Sequence, residues 1–525
     1  MATVEYAAGS FLSSQYIAAT VIIAIAGLLI FRLVSGNKQR LPPGPRGLPL
    51  LGHLHLLGMY PHRSLCTMAD KYGPIIYLKM GSVPMVAVSS PELAMEVLKT
   101  QDQHFASRPQ FVAGRILAYE NQSTSLQPNG DKWRFMRKVI SQELVTGKRL
   151  EMSQPVRAQE VLNTMEEILS DGQKGALVDL DVKLTQLVLN QTTLFNFSMK
   201  YYGRKRKDKA EKVEEFMAVV KTLGGTKFFL AEEFFPYLGR LDIGGVAKRL
   251  RGIAHEADNF YNAILKSHRN EDGSPRVISE KDQDFVDVLF AHQKENKINV
   301  SDDLIKAAVQ DVIVASSSTS SATMLWALAE LLRNPEVLRK VQKELDDVVG
   351  RERLAKESDL RDLPYLRCMV KETFRLHPTL PTLFPHFNEA AQKIDGYDIP
   401  AKCLVMVNVY SIGRDPKLWK NPLDFNPDRF LNSEMDVKGQ NFELLPFGAG
   451  RRMCVGYNLG LVTVEFGLAQ LLHTCDIFLP EGMAPENLNM DEESGTSVTR
   501  KDALLVRVAP RLPSHVYEKA GMSLL

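Results

Sequence analysis

The order of apolar and polar positions divides the chain into segments of different period. Residues 16–34, from Tyr16 to Val34, are almost wholly apolar. At ~1.5 Å per residue a helix there nearly crosses a hydrocarbon core of ~30 Å. Residues 42–52 read Pro-Pro-Gly-Pro-Arg-Gly-Leu-Pro-Leu-Leu-Gly. Proline fixes φ and restricts the residue before it, so a stiff bent connector is expected in place of a helix. Short β-type runs follow at Ile75–Met80 and Met85–Ser89, then a helix near Pro91–Leu98. Residues 108–130 are irregular and mix Phe111, Ile116, Leu117 and Tyr119 with glycine and asparagine. A helix opens at Trp133-Arg-Phe-Met-Arg137, and residues 155–300 read as mostly helical. Within them Arg204–Lys212 is a basic, solvated stretch, and Gly224–Gly245 gathers Phe228, Phe229, Phe234, Phe235 and Tyr237.

The most extended helical pattern runs from Ser301 to Asn334, roughly 50 Å by helix rise. Ile305, Ala308, Val309, Val312 and Ile313 form its first apolar face; Leu325, Leu328, Leu331 and Leu332 continue it. Between them lies Ala315-Ser-Ser-Ser-Thr-Ser-Ser321. Hydroxyls can bond the i−4 carbonyl and bend a helix, so a distorted mid-helix is expected, since the helical period persists on both sides. Pro335 suits the first turn of the next helix, with Asn334 as its cap. Residues 397–410 predict one or two strands, residues 494–499 a polar turn, and Leu459 to Leu472 a further helix. The expected fold is mainly α with a small β region. Its expected parts are an N-terminal membrane anchor (1–35), a proline-rich hinge (36–52), one large domain (53–515) and a C-terminal tail (516–525).

Composition narrows this. At ~150 residues per domain, 525 residues would suggest three or four domains, but no linker-like stretch or repeat divides the chain. The net charge of +2 argues against nucleic acid as a main partner. Five scattered cysteines without a CxxC fit a reducing compartment. Arg32, Lys38 and Arg40 follow or end the apolar run, and only Glu5 is charged before it. The positive-inside bias then leaves the remainder in the cytoplasm. A cleaved signal peptide is the alternative, but the run is long, starts late and lacks a small-residue cleavage site. The sequons at Asn121, Asn190, Asn196 and Asn299 are therefore expected to be unused.

The chemistry concentrates at Pro446-Phe-Gly-Ala-Gly-Arg-Arg-Met-Cys-Val-Gly456. Cys454 is expected to have a lowered pKa, from Arg451, Arg452 and the N-terminus of the helix that follows. Gly448, Gly450 and Gly456 allow positive φ and the close approach of a flat ligand. A lone thiolate in such a loop suits a haem iron. The alternative, an inert buried cysteine, leaves the surrounding spacing unexplained. Phe447-x-x-Gly450-x-Arg452-x-Cys454-x-Gly456 resembles the haem-binding signature of the cytochrome P450 family. With the hinge style and the run Tyr410–Pro422, the likeness is to plant microsomal members of phenylpropanoid and flavonoid type.

This resemblance, over roughly residues 42–510, implies haem b on the thiolate of Cys454, between two long helices. It also implies that Trp133, Arg137 and His386 hold the propionates, and that Phe447 and Arg452 belong to the haem-binding loop. Glu372, Arg375 and Arg429 would form a buried ion triad. Alone, WxxxR and ExxR are commonplace helix-surface patterns; beside Cys454 they form a set. The region 108–130 would roof the substrate pocket.

One motif departs from the family. Ser316 replaces a glycine, Ser318 an acid that helps deliver protons for O–O cleavage, and Thr319 retains the alcohol. Serine can pass a proton but is no acid near neutral pH. The implied function is a monooxygenase that inserts one oxygen atom from O2 into a small apolar or phenolic plant metabolite. No GxGxxG fingerprint follows a strand, so NADPH would act through a separate NADPH–cytochrome P450 reductase. The expected location is the endoplasmic reticulum membrane, single-pass, with lipid, reductase and a small molecule as partners. An isomerase or dehydratase needing no reductase is the alternative that Ser318 favours. A non-enzymatic haem protein would need a blocked iron position, which nothing in the sequence suggests.

Overall fold

The computed structural model describes residues 39–202, 231–238, 242–279, 282–295, 299–495 and 497–522. The expected anchor at 16–34, the basic stretch 204–212, Phe228 and Phe229 lie outside these residues. Helices dominate, and three of them enclose the main core. The central helix Asp302–Arg333 lies against the helices Leu180–Phe197 and Tyr457–Thr474. Met324, Leu325, Leu328 and Leu331 from the first meet Leu184, Leu187 and Val188 from the second and Leu468, Leu471 and Leu472 from the third. Each aliphatic side chain buried there contributes about 1.5–3 kcal/mol by removal from water. Among the described residues the central helix is the one long and apolar enough to cross a membrane. Its burial shows that it is a core element.

The central helix matches its expected limits to one residue at each end. Ser301 caps it by accepting from the Leu304 N–H at 3.2 Å. It is unbroken α-helix across the serine run, so the expected distortion does not interrupt it. Ser316, Ser318, Thr319, Ser321 and Thr323 each bond a carbonyl four residues back, which hides their polarity inside the helix. The expected Asn334 cap is not formed. Its side chain turns back to the Glu330 carbonyl at 2.8 Å, and Pro335 opens the next helix without it.

The largest sheet of the β region has four strands, in the order Ile75–Met80, Val83–Val88, Cys403–Val407, His386–Asn388. The second strand starts two residues before its expected position, because a tight turn at Gly81 returns the chain at once. Val83–Val88 and Cys403–Val407 pair in parallel, the other neighbours antiparallel. Both faces are covered, which explains the continuous apolar run Cys403-Leu-Val-Met-Val. Phe234 and Phe235 pack beneath this sheet and are core residues. Residues 91–100 form the short helix Pro91–Met95, then a π-helical turn Glu96–Thr100.

Two terminal segments lie closer to the domain than their pattern suggests. The proline-rich stretch is seated on the first strand: Tyr77 N–H donates to the Pro43 carbonyl at 2.9 Å. The 516–525 tail begins inside the helix Ser514–Lys519, whose Val516 and Tyr517 are buried in the main core.

Candidate active site

A cavity of about 400 Å³ lies between the central helix and the Cys454 loop. Cys454, Phe447, Arg452, Trp133, Arg137, His386, Ser318 and Thr319 all line it. Residues far apart in sequence are thus brought to one space, as expected. Glu372, Arg375 and Arg429 sit behind it. The helix Pro364–Leu376 that carries the first two also presents Phe374 to the cavity, where its ring meets that of Phe447 at 5.3 Å.

The loop geometry is fixed locally. Cys454 N–H donates to the Phe447 carbonyl at 2.9 Å. Gly450 has φ +67°, and a Cβ there would lie 1.8 Å from the Leu98 carbonyl oxygen, so no other residue fits. Gly456 differs from expectation: its φ is −89°, and it caps the helix Tyr457–Thr474. A Cβ there would meet nothing within 4 Å.

The electrostatics of Cys454 also differ from expectation. Arg451 points outward to Asp102 at 3.1 Å. Arg452 donates to the Ala106 carbonyl at 2.6 Å, the Thr124 carbonyl at 3.2 Å and the Gln127 carbonyl. Neither lowers the thiol's pKa. Burial raises it, opposed by the Gly456 N–H and by Arg137, which donates to the Met453 carbonyl at 2.7 Å. The accessible surface of Cys454 faces the cavity. A bound iron would deprotonate the thiol outright.

Four basic side chains line one part of the cavity wall. Arg452 stacks over the Trp133 ring at 3.9 Å, and Arg137 lies 5.8 Å from the same ring. Burial and the neighbouring guanidiniums push Arg452 down to about 8 and Arg108 down to about 9. Burial lowers Arg137 as well. His386 is lowered well below its usual range by burial and by Arg108. Its Nδ1 bonds the Phe105 carbonyl at 3.0 Å. A carbonyl only accepts, so Nδ1 holds the proton and Nε2 is an acceptor. His386 is therefore neutral in this arrangement.

This wall fits a haem. Among the described residues Trp133 Nε1–H is buried with no acceptor, beside three guanidiniums crowded together without a carboxylate partner. Two propionates would satisfy both deficits. Arg108 belongs to this wall and was not foreseen. It holds the carbonyls of Ser125 at 3.1 Å, Phe384 at 2.9 Å and Pro385 at 2.7 Å. Its only sequence signal was an arginine before a proline in an apolar loop.

The ion triad forms as expected. Arg375 grips Glu372 with Nε at 2.7 Å and Nη2 at 2.8 Å, and Arg429 Nε reaches the same carboxylate at 2.9 Å. The remaining guanidinium protons of Arg375 go to the carbonyls of Gly413, Pro422 and Asp424. On the opposite side of the cavity Thr319 Oγ1 donates to the Ala315 carbonyl at 2.7 Å. Ser318 Oγ lies 3.2 Å from Ser497 Oγ. Ser497 comes from the expected polar turn at 494–499, the part of it that reaches the cavity. Asp311, another residue not singled out beforehand, lines the same cavity.

A helical frame around a cysteine loop that faces a cavity with a cationic wall defines a haem-thiolate protein. The family model for cytochrome P450 matches residues 42–506, and the chain belongs to that family. It is an oxidoreductase, a monooxygenase whose cofactor is haem b with an axial thiolate and whose electrons derive from NADPH. The chain is 39% identical over 498 residues to cytochrome P450 71A9 of Glycine max, covering 94% of this chain and 97% of that one. It is 39% identical over 508 residues to flavonoid 3'-monooxygenase of Petunia hybrida, covering 93% and 97%. It is 36% identical over 523 residues to flavonoid 3',5'-hydroxylase of Solanum melongena, covering 97% and 99%. A zebra fish cytochrome P450 solved with progesterone superposes with a TM-score of 0.74 at 25% identity, covering 86% of this chain and 99% of that chain.

Proposed function

We propose that this enzyme inserts one oxygen atom from O2 into a small phenolic metabolite of flavonoid type, with electrons passed from NADPH by a separate flavoprotein reductase. The observation that carries the chemistry is the pairing of Cys454, facing the cavity, with the orphaned Trp133 N–H and the guanidinium cluster that line the same cavity. The substrate class rests on the flavonoid hydroxylases among the relatives and on walls such as Leu117, Val314 and Leu380, interspersed with hydroxyls. When bound, haem supplies reductive activation of O2.

The residues of this chain would divide the remaining work. Cys454 would hold the iron through its thiolate, with its N–H on the Phe447 carbonyl. Trp133, Arg137, Arg452 and Arg108 would face the propionates, and His386 would accept or share a proton there. Glu372, Arg375 and Arg429 would hold the loop from behind. Thr319 would keep its hydroxyl at the helix surface through the Ala315 carbonyl. Ser318 and Ser497 would form a hydroxyl pair that can pass a proton in either direction but store none. In this reading the run 16–34 anchors the chain in the endoplasmic reticulum membrane, with the domain on the cytosolic side.

The same Ser318–Ser497 pair favours a second reading, an isomerase or dehydratase that needs no electrons, because a carboxylic acid is missing where protons are delivered. Product formation with and without reductase and NADPH decides between them. Monooxygenation requires both. Turnover of the same substrate in their absence establishes the second reading instead.

A further inference from the structure

The sequence holds one Asn–Gly step, Asn129–Gly130. It leads into the helix Asp131–Leu144, which carries Trp133 and Arg137. In such a step the side-chain amide is open to attack by the next backbone nitrogen, because no Cβ crowds that nitrogen. Within a folded chain the attack is fastest where the nitrogen is uncommitted, the amide carbonyl is polarised and the leaving nitrogen is unanchored.

All three conditions meet at Asn129–Gly130. Gly130 is extended, at φ −169° and ψ −179°, and its N–H donates to nothing among the described residues. A Cβ on Gly130 would meet nothing within 4 Å, so the step has room to turn. Arg134 Nη1 donates to Asn129 Oδ1 at 3.4 Å. A guanidinium only donates, so the amide oxygen faces it and Cγ is made more electrophilic. Asn129 Nδ2 has no partner among the described residues, and the step lies next to the exposed Pro128. The turn at Asp272–Gly273 is the contrary case. There the Asp272 carboxylate accepts from the Ser274 N–H at 2.9 Å and from Ser274 Oγ at 2.6 Å, which hold it as an anion and a poor electrophile.

We infer that Asn129–Gly130 is a self-modification site whose reaction loosens the haem wall as the protein ages. The Gly130 nitrogen gives its proton to solvent base and attacks Asn129 Cγ. The N–Cγ bond forms, the Cγ–Nδ2 bond breaks and ammonia leaves, which closes a succinimide ring. Water then opens either ring carbonyl and yields aspartate or isoaspartate; no electron is transferred. Isoaspartate adds one methylene to the main chain, two residues after Gln127 and four before Trp133. Arg452 donates to the Gln127 carbonyl and stacks over the Trp133 ring at 3.9 Å, so the added atom falls inside a loop closed at both ends on one guanidinium. Either the carbonyl or the ring must shift. The effect on haem rests on the propionate roles proposed above for Trp133 and Arg452.

The test incubates the haem-loaded full chain at mildly alkaline pH, where the Gly130 nitrogen loses its proton more readily. Peptide mass spectrometry with isoaspartyl methylation reads residue 129, and transfer to excess apomyoglobin reads haem loss. Aspartate and isoaspartate are expected at position 129, and haem is expected to leave the isoaspartyl fraction about tenfold faster, the value of one charge-assisted hydrogen bond. Gly130→Ala fits the extended backbone, and its Cβ should slow the modification about tenfold and preserve haem retention. Asn129→Asp adds the charge without the methylene and should retain haem like fresh wild type. An unmodified Asn129 in the wild type, or an equal rate in Gly130→Ala, overturns the site. An isoaspartyl fraction that keeps its haem as fresh protein does overturns the loosening, and fast loss from Asn129→Asp overturns the methylene as its cause. The chain starts haem-loaded, so failure of the haem reading itself shows before the incubation begins.

Discussion

A thiol flanked by two arginines in sequence has neither as a neighbour in the fold. Arg451 is drawn out to Asp102, and Arg452 is spent on three carbonyls, so burial wins and the Cys454 pKa rises. The loop itself was legible in the sequence, because its turn depends on local φ and on Gly450. The charges were not, because a long side chain chooses its partner by tertiary position. Arg108 and Asp311 escaped notice for the same reason: their roles depend on loops more than a hundred residues away. Another group outside the motifs gives a pH prediction. Glu465, on the helix after the cysteine loop, is half-buried without a hydrogen-bonding partner among the described residues, and burial raises its pKa to about 7. Its unfolded value is the lower one, so the folded state binds more protons between the two. Stability from this group is therefore full at pH below about 4.5 and is lost as pH rises through about 7. Glu465→Gln is expected to raise stability at pH 8 by on the order of 1–3 kcal/mol and to have no such effect at pH 4. Urea titrations at both pH values check this.

At the scale of elements, periodicity identified the central helix to within a residue at each end, since its apolar faces and its serine cap are local features. The region 108–130 was harder. It contains the helix Val112–Leu117, only six residues long, which tertiary contact stabilises. A Cβ on Gly114 would lie 2.0 Å from Asn121 Oδ1, and Tyr119, Glu120 and Asn121 all have positive φ. No window of so short a segment carries a readable period. The ion triad joins two elements, the helix Pro364–Leu376 and the turn Pro427–Phe430. Glu372 is fully buried, and it alone offsets two guanidiniums. Glu372→Ala is expected to cost about 3–5 kcal/mol, because it leaves both uncompensated. Replacing all three members by apolar residues of similar volume should recover most of that loss. Unfolding free energies of the single and triple variants measure it. A single variant within 1 kcal/mol of wild type, roughly a surface-pair effect, would contradict the triad's role.

At the scale of the molecule, the largest hydrophobic cluster gathers residues from the helix Gly147–Gln173 to the helix Ser514–Lys519, far apart in sequence. The fold also sharpens the test of topology. Asn121, Asn190 and Asn196 are buried and could carry no glycan in any compartment. Asn299 is exposed and is the sequon that reports. In a eukaryotic membrane expression system it is expected to remain unmodified, by mass spectrometry of its peptide; a glycan there would place the domain on the lumenal side. Everything else depends on Cys454 meeting iron in the cavity behind the central helix. The most direct measurement is the absorbance of the reduced, carbon-monoxide-treated holoprotein. The account predicts the red-shifted Soret band of a thiolate complex, lost in Cys454→Ser. A folded, haem-loaded wild type that shows only the shorter-wavelength band of a neutral axial ligand would contradict it.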